Sequence, residues 1–486
     1  MAWRHFQQLA GGMNYSGSDF IKNPWDLKIL NGCNVDFKIG SIVKDLGYAQ
    51  VGDVPQAGNK VLGLFDFRQQ AGTQKIFVTI NSSDDADMEL KYNNAGTWTL
   101  ISAGASWDGF EDCAVEMESM DQHCYFVGYD STDNVFLPVA SVIGTTFSTS
   151  TNVTNMPTAK YIKRYRDRIY IGNCIESGTL HEYRVYFSTV PVSDAITWTV
   201  ADNFFDVDYS EIVTGLGSNW DRLVVFTEYT AYFYNQVSSK KVWDVGCTNH
   251  RTIRTSGQWM FWANQDGVWR SRGGEPENIS GKMKSFIDAA TPANFFSEVV
   301  GREYYIYIGT VTVDGITYTN TEMVFNIAHE TWRLRELKDN ITIYAKFSNS
   351  GSIELYHGDT DGEVMTRSKY SDSTPIYADD GTAIKAHFQH ILLDLGSPQD
   401  RKRINKIITY SERAQGLLMS ARVIDKNEMV LTDWKPLGQL TKYITEHTVS
   451  PNKGNFLQIQ GRENSTNPYF IFDGWSCDFQ LDSQNR

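Results

Sequence analysis

The chain has 486 residues, with 58 acidic and 44 basic side chains and a net charge of −14. That balance argues against a surface built to bind phosphates in general, which needs a basic excess. No apolar run approaches the length of a membrane span. The N-terminal MAWRHFQQLAGGMNYSG lacks an apolar signal core, so export by the usual route is not expected. Six Cys (33, 113, 124, 174, 247, 477) stand apart, without a C-x-x-C pair, and read as reduced thiols of a protein made in a cytoplasm.

The 25 Tyr, 26 Phe and 13 Trp suit a pleated surface, and 38 Gly against 12 Pro suit many tight turns. In chain order, residues 1–60 hold Asn/Gly/Asp-rich turns and little hydrophobic mass. They read as an arm or as a strand lent to the next region. From residue 61 to 390, short β-branched or aromatic runs recur between turn residues: Lys75–Thr79, Cys124–Tyr129, Ile169–Gly172, Arg222–Thr227, Trp259–Ala263, Tyr304–Thr310 and Ile353–Gly358. Each leads through a turn into a second run, as in FWANQDGVWR (261–270), VFNIAHETWRL (324–334) and LYHGDTDGEVM (355–365). The units repeat every 40 to 60 residues or so, the period of four-stranded propeller blades. We expect an all-β chain with a β-propeller of about six blades over 61–390; a pair of β-sandwiches is the rival arrangement. One helix is expected, over Ser280–Ala290, where Met283, Phe286 and Ile287 share a face. Residues 391–486 change character. Longer alternating runs at Lys402–Tyr410, Leu417–Ile424, Met429–Pro436, Asn455–Gln460 and Phe470–Gln480 predict an antiparallel β-sandwich or jelly roll.

The search for chemistry is mostly negative. Nine His are scattered with no metal-binding spacing. His123 and Cys124 are adjacent in an expected strand, where neighbours face opposite sides. Asp359, Asp361 and Glu363 alternate around Gly362 and could wrap a calcium ion, but an Asp-Gly hairpin explains them with fewer assumptions. Asp84, Asp85 and Asp87 read as a solvated loop. There is no G-x-S-x-G elbow, no Cys/His signature, no Walker loop and no dinucleotide fingerprint. Neither a catalytic residue, a metal nor a cofactor is nominated. Two basic clusters stand out: Lys160, Lys163, Arg164, Arg166 and Arg168, interleaved with Tyr161 and Tyr165, and Arg401, Lys402, Arg403 and Lys406. Each reads as a solvated strand face, as a docking face for an acidic neighbour, or as a DNA contact.

The order of short motifs adds a resemblance. Gly11-Gly12 is followed by Leu30, Asn31, Gly32 and Asn34, and then by Gly40, Ile42, Lys44, Gly47 and Tyr48. KYIKRYRDRIYIGN (160–173), RVYFS (184–188), Trp198, IVTGLGSNWDRLVVF (212–226) and VGCTNHRTI (245–253) come next. FWANQDGVWRSRGGEPENIS (261–280), HGDTDGEVM (357–365) and LLDLGSPQDRKRINKI (392–407) complete the series. This succession resembles the tail-nozzle and packaged-DNA-stabilisation (tail hub) proteins of short-tailed bacteriophages. The resemblance implies a propeller and a hexameric ring below the portal and adaptor. It also implies tail-fibre or tail-needle neighbours and a channel that retains the genome and opens for its ejection. On this reading the chain is a structural virion protein, not an enzyme, made in the host bacterial cytoplasm. It meets double-stranded DNA only weakly, because an acidic lumen repels phosphates. No channel or gate residue is nominated. A glycan-binding or glycan-cleaving receptor protein of the tail is the alternative, and an ordinary host propeller scaffold is a second rival.

Overall fold

The computed structural model describes residues 2–7, 13–15, 33–38, 41–68, 74–83, 87–101, 106–150, 153–192, 195–349, 351–396, 398–414, 416–425, 433–440, 443–466 and 469–481. Gly11, Gly12, Leu30, Asn31, Gly32, Gly40, Asp84 and Asp85 lie outside them.

Among the described residues, seven sheets follow one another along the chain and form a ring, antiparallel throughout except where Ala378–Asp379 pairs parallel with Tyr48–Gln50 in the last. Their innermost strands are Val61–Arg68, Ala114–Met120, Thr158–Tyr165, Val213–Asn219, Arg254–Ser256, Phe296–Val300 and Ile341–Asn349, which we number as blades 1 to 7. Blade 4 is typical: Val213–Asn219, Arg222–Thr227, Ala231–Tyr234 and Ser239–Trp243 pair in sequence order from the axis outward. Apolar side chains fill the gap between successive blades. Phe65, Phe67 and Phe77 meet Val115 and Phe126 between blades 1 and 2, for example, and Val224 and Phe226 meet Met260 and Trp262 between blades 4 and 5. The ring closes where Val61, Leu64, Val78 and Ile80 of blade 1 pack on Ile343, Ala345, Phe347 and Val364 of blade 7. Closure leaves only short, protected edges, which is why flat apolar strands can be used here without aggregation.

The propeller therefore has seven blades, not about six. The innermost strands of blades 4 to 7 begin only 41 to 45 residues apart, so the region holds one unit more than the expected spacing allowed. Blade 7 is also completed from elsewhere. Its third strand, Val364–Arg367, pairs antiparallel with Tyr48–Gln50, so a strand from the first 60 residues supplies its fourth position. Two-residue turns with positive φ, such as Asp314-Gly315 between the 11-residue strands Glu303–Val313 and Ile316–Asn326, keep the units short.

The rest of the chain forms a two-sheet sandwich. One sheet runs Val35–Lys38, Ser41–Lys44, Phe470–Leu481, Lys402–Ala414, Ile444–Gly454, with Ala2–Gln7 also paired to Phe470–Leu481. The other runs Ala386–Gln389, Phe456–Glu463, Leu418–Ile424, Lys435–Gln439. The strand Ile444–Gly454 was not read from sequence, because Pro451 interrupts its alternation; Pro is tolerated there because this strand is an edge. The sandwich core, with Ile404, Ile407, Leu457, Phe472 and Trp475, is continuous with Phe261, Tyr304, Phe325 and Trp332 of blades 5 and 6. The expected helix forms over Lys284–Ala289, after a 3-10 turn at Gly281–Met283, and buries Met283, Phe286 and Ile287. No helix among the described residues is long and apolar enough to cross a membrane.

Candidate functional site: the plugged propeller axis

The seven innermost strands enclose two chambers on the propeller axis, of about 450 and 650 Å³. What separates them is the link between blades 4 and 5. The segment Cys247–Ile253 contains a 3-10 turn, His250–Thr252, capped by Asn249, whose side chain accepts the Arg251 N–H at 3.0 Å. The Asn249 amide also donates to the carbonyls of Ala293 (2.6 Å) and Phe295 (3.0 Å), so its capacity is spent on holding the turn. Thr252 Oγ1 donates to Asn249 O at 2.7 Å, and Thr252 O accepts from Ser297 Oγ (3.0 Å) and Tyr304 OH (3.1 Å).

Held this way, Arg251 reaches across the axis. Its guanidinium donates to Leu62 O of blade 1 (2.9 Å), Val115 O of blade 2 (3.2 Å) and Glu116 Oε1 (3.1 Å), and faces Thr342 O of blade 7 at 3.5 Å. His250 serves the opposite side. Its Nδ1 accepts the Leu216 N–H of blade 4 at 3.1 Å, and its ring lies 5.2 Å from that of Tyr161 in blade 3. Two side chains of one turn thus touch blades 1, 2, 3, 4 and 7.

Around this plug every carboxyl has a cation of its own. Burial works to raise the Glu116 carboxyl, but His250, Arg251 and Arg254 outweigh it and hold Glu116 below its ordinary value. Burial pushes His250 down to about 4, against the pull of Glu116. At neutral pH the imidazole is uncharged, with Nδ1 accepting and Nε2 facing Glu116 Oε2 at 3.7 Å. Nδ1 accepts from the backbone and Nε2 carries the ring proton, so the neutral ring offers no lone pair to a substrate. In the smaller chamber Arg254 pairs with Glu298 (3.2 Å), Lys346 with Glu298 (3.3 Å) and Lys163 with Glu118. The larger chamber carries Tyr129, Tyr161, Tyr307, Asn340 and Lys160 on its wall. Its size suits a small ligand, and neither chamber admits a nucleic-acid duplex.

The sequence-nominated basic residues are not one face. Residues 160–168 were read as a single strand, and the structure corrects this: Arg166, at φ 52°, turns the chain between Thr158–Tyr165 and Arg168–Glu176. An Arg-Asp pair at a two-residue hairpin breaks the period-two pattern without any Gly to mark it. Lys160 lies over the Tyr129 ring at 3.8 Å and Lys163 lines the axis. Arg164 donates to Ser119 O at 3.2 Å. Arg166 Nε donates to Asp221 Oδ1 at 2.7 Å, and Arg168 Nη1 donates to Ser188 O at 2.8 Å. In the sandwich, Arg401 pairs with Asp425 (3.1 Å) and Lys406 with Glu446 (2.6 Å), and Arg403 is exposed. Lys402 is 1 % exposed, its ammonium donating to the carbonyls of Asp400 (2.9 Å) and Asn455 (3.2 Å), so it is not part of any docking face.

The acidic alternation at 359–363 is a turn. Asp359 Oδ1 accepts the N–H groups of Asp361 (2.9 Å) and Glu363 (2.8 Å), and Gly362 sits at φ +84° with Gln56 O 1.9 Å from where a Cβ would be. Among the described residues no three His, Cys, Asp or Glu are placed to hold a metal ion. Asp87 Oδ1 accepts the Gly109 N–H at 2.8 Å. His123 and Cys124 are both buried on neighbouring positions of the strand His123–Asp130. All six Cys are buried free thiols. One of them, Cys33, lies 3.9 Å from His387 Nδ1, but its thiol donates to Glu336 Oε2 at 3.3 Å and burial raises it well above the ordinary value, which disfavours the thiolate. Sequence reading missed Glu116, His250, Arg251 and Arg254. The available signal was VGCTNHRTI (245–253), a polar break where a propeller unit should have begun.

No family model and no curated protein matches the chain. Among solved structures it is similar to the Neurospora crassa Pan2 WD40 domain, at 6 % identity over 67 % of this chain and 96 % of that one, with a TM-score of 0.43. It is also similar to BBS1N from its complex with ARL6DN, at 9 % identity over 66 % of this chain and 96 % of that one, with a TM-score of 0.39. The seven sheets and their closure establish the propeller independently of these likenesses.

Proposed function

We propose that the chain is a structural subunit of a short-tailed phage tail, one of several copies in a ring below the portal and adaptor. The observation that carries this reading is the order of motifs from Gly11 to Lys406, which resembles the nozzle and hub proteins. The role is architectural rather than catalytic. The lone pair of the buried imidazole on the axis is taken by the Leu216 N–H, and the carboxyl groups around it are paired with cations.

The plugged axis adds a constraint. Since Arg251 bridges blades 1, 2 and 7, a genome cannot thread one propeller. A conduit requires several copies arranged around a common axis, with a subunit surface as its wall. The net charge of −14 per copy favours a wall that does not hold phosphate. Contacts between copies would draw on exposed apolar side chains such as Tyr209, Tyr229 and Val237 around blades 3 and 4. Partners on this reading are further copies, the adaptor–portal complex, fibre or needle proteins, and passing double-stranded DNA. The location is the virion.

Native mass spectrometry and electron microscopy of the particle that carries the chain test the proposal. A closed ring coaxial with the genome channel is expected, hexameric by the resemblance. A soluble monomer or trimer that binds glycans would replace it with the receptor reading.

A further inference from the structure

The strand that closes blade 7 belongs to a strap joining the two domains. Ser41–Lys44 pairs in the sandwich, and Tyr48–Gln50 pairs in the propeller. Lys44 is fully buried, its ammonium donating to Glu463 Oε2 and Ser465 O, both at 2.6 Å. Gly47 passes so close to Ala378 that a Cβ would lie 1.8 Å from its carbonyl oxygen. Between these anchors Asp45 enters a buried cluster of charge.

The cluster is short of cations. Arg333 contacts Asp36 (3.3 Å), Asp45 (3.2 Å) and Glu303. Arg335 contacts Asp45 (3.3 Å), Asp379 (3.4 Å) and Glu322 (3.8 Å), and its Nε and Nη1 make no hydrogen bond. Arg367 donates to both oxygens of Glu322, at 2.8 and 2.9 Å. Three guanidinium groups therefore serve five carboxyl groups, and Arg335 spreads its fork over three of them without saturating one. Buried charge of one sign is costly unless it is paired or neutralised. Two of the five must hold protons for the cluster to be neutral.

We propose that the strap is a proton-held latch: two carboxyl groups of this cluster keep their protons while the strap is seated, and their ionisation loosens Asp45–Gln50 from blade 7. The candidates are Asp379, held by Arg335 alone at 3.4 Å, and Asp36, held by Arg333 alone at 3.3 Å; Glu322 accepts both arms of the Arg367 fork and the Tyr344 hydroxyl and is the ionised member. Burial raises Asp379 to about 7, with Arg335 opposing, and Asp36 to about 6 against Arg333. The other groups facing the cluster are accounted for. The hydroxyls of Tyr305 and Tyr344 donate to Glu303 and Glu322. From blade 7, His357 packs edge-on against Tyr48 at 4.7 Å, and burial holds it down at about 3. Burial also raises the carboxyls of Asp339 and Asp359, the latter to about 6, below the range tested. Lys338 pairs with Asp380 at 2.9 Å on the rim. The Tyr370 hydroxyl donates to Lys44 O at 2.8 Å.

The sign is set by linkage. A carboxyl raised in the seated state favours that state at low pH, and this contribution disappears as pH rises through the raised value. His357 acts oppositely, but its effect is complete above about pH 6.5, leaving a clean window at higher pH. Hydrogen exchange on the full chain tests the latch. The reporters are the amides of Gly47, Val51, Ser368 and Asp380, which bond across the strap. Cys247, bonded to Thr227 within blade 4, is the control.

Strap protection factors are expected to fall about fivefold between about pH 6.5 and 8.5, with the control unchanged. In Asp379→Asn most of that fall disappears, and in Asp36→Asn a smaller part of it does. Should these variants fail to fold, the wild-type profile still decides. Strap protection that does not change with pH, or that falls in step with Cys247, overturns the latch. The inference does not depend on the tail reading.

Discussion

The axial plug and the strap are two buried ionic clusters in one propeller, and they solve the same problem differently. Both tie distant pieces of chain through arginine. At the axis, Glu116, Glu118 and Glu298 meet Arg251, Lys163, Arg254 and Lys346, so each carboxyl has at least one cation and His250 stays neutral. At the strap, five carboxyl groups share Arg333, Arg335 and Arg367. A cluster with cations enough for every carboxyl has a fixed charge over the physiological range and behaves as a rivet. A mismatched one carries its neutrality in protons and so responds to pH.

The comparison is broken most directly at the rivet. Arg251→Ala takes from Glu116 its hydrogen-bonded cation and from the Leu62 and Val115 carbonyls the Arg251 donor, so it should cost about 3 kcal/mol of stability. Denaturant unfolding measures this. A loss below about 1 kcal/mol would mean that the plug is ornamental. At the strap, wild-type stability should decline as pH rises through about 7, by about 1 kcal/mol for Asp379 between about pH 6.5 and 8.5. Asp379→Asn should flatten the profile while Arg251→Ala should leave its slope intact, a contrast read by thermal melts across that range.

His250 sharpens the same contrast from the acid side. Burial lowers its folded value to about 4, so its contribution is complete above about pH 6.5 and is lost as pH falls from there toward 4. His250→Gln should remove up to about 1 kcal/mol per pH unit of that acid sensitivity, relative to wild type, in the same melts. The smallest effect on folding belongs to the exposed hairpin. Arg164→Glu with Arg166→Glu should leave the monomer's melting temperature within about 2 °C, because exposed pairs contribute little. Assembly into the virion should nevertheless weaken if this hairpin docks a neighbour. Normal incorporation of the doubly reversed chain removes the docking role.

Local rules wrote much of the architecture into the sequence. Runs such as Arg222–Thr227 and Trp259–Ala263 have the composition of a pleated, buried surface, and turn residues at regular spacing announce antiparallel repeats. Met283, Phe286 and Ile287 mark the one α-helix among the described residues because a shared face is a short-range property. The blade count was less legible, since the fourth strand of blade 7 comes from Tyr48–Gln50, more than 300 residues away from its partner Val364–Arg367. Pairing at that distance is decided by closure of the ring, which no local pattern encodes. The sites were least legible. Glu116 and Arg251 are 135 residues apart, and nothing near either residue signals the other. Of the basic runs that did stand out, Lys160 and Lys163 reach the axial chambers, while Arg164, Arg166, Arg168, Arg401 and Lys406 are spent on carbonyls and carboxylates beside the hairpin and the sandwich strand. Composition and periodicity determined that this chain is built of repeated antiparallel sheets. Only the tertiary structure decided which charges meet in its interior, because burial makes a charge conspicuous and burial is a property of the assembled ring.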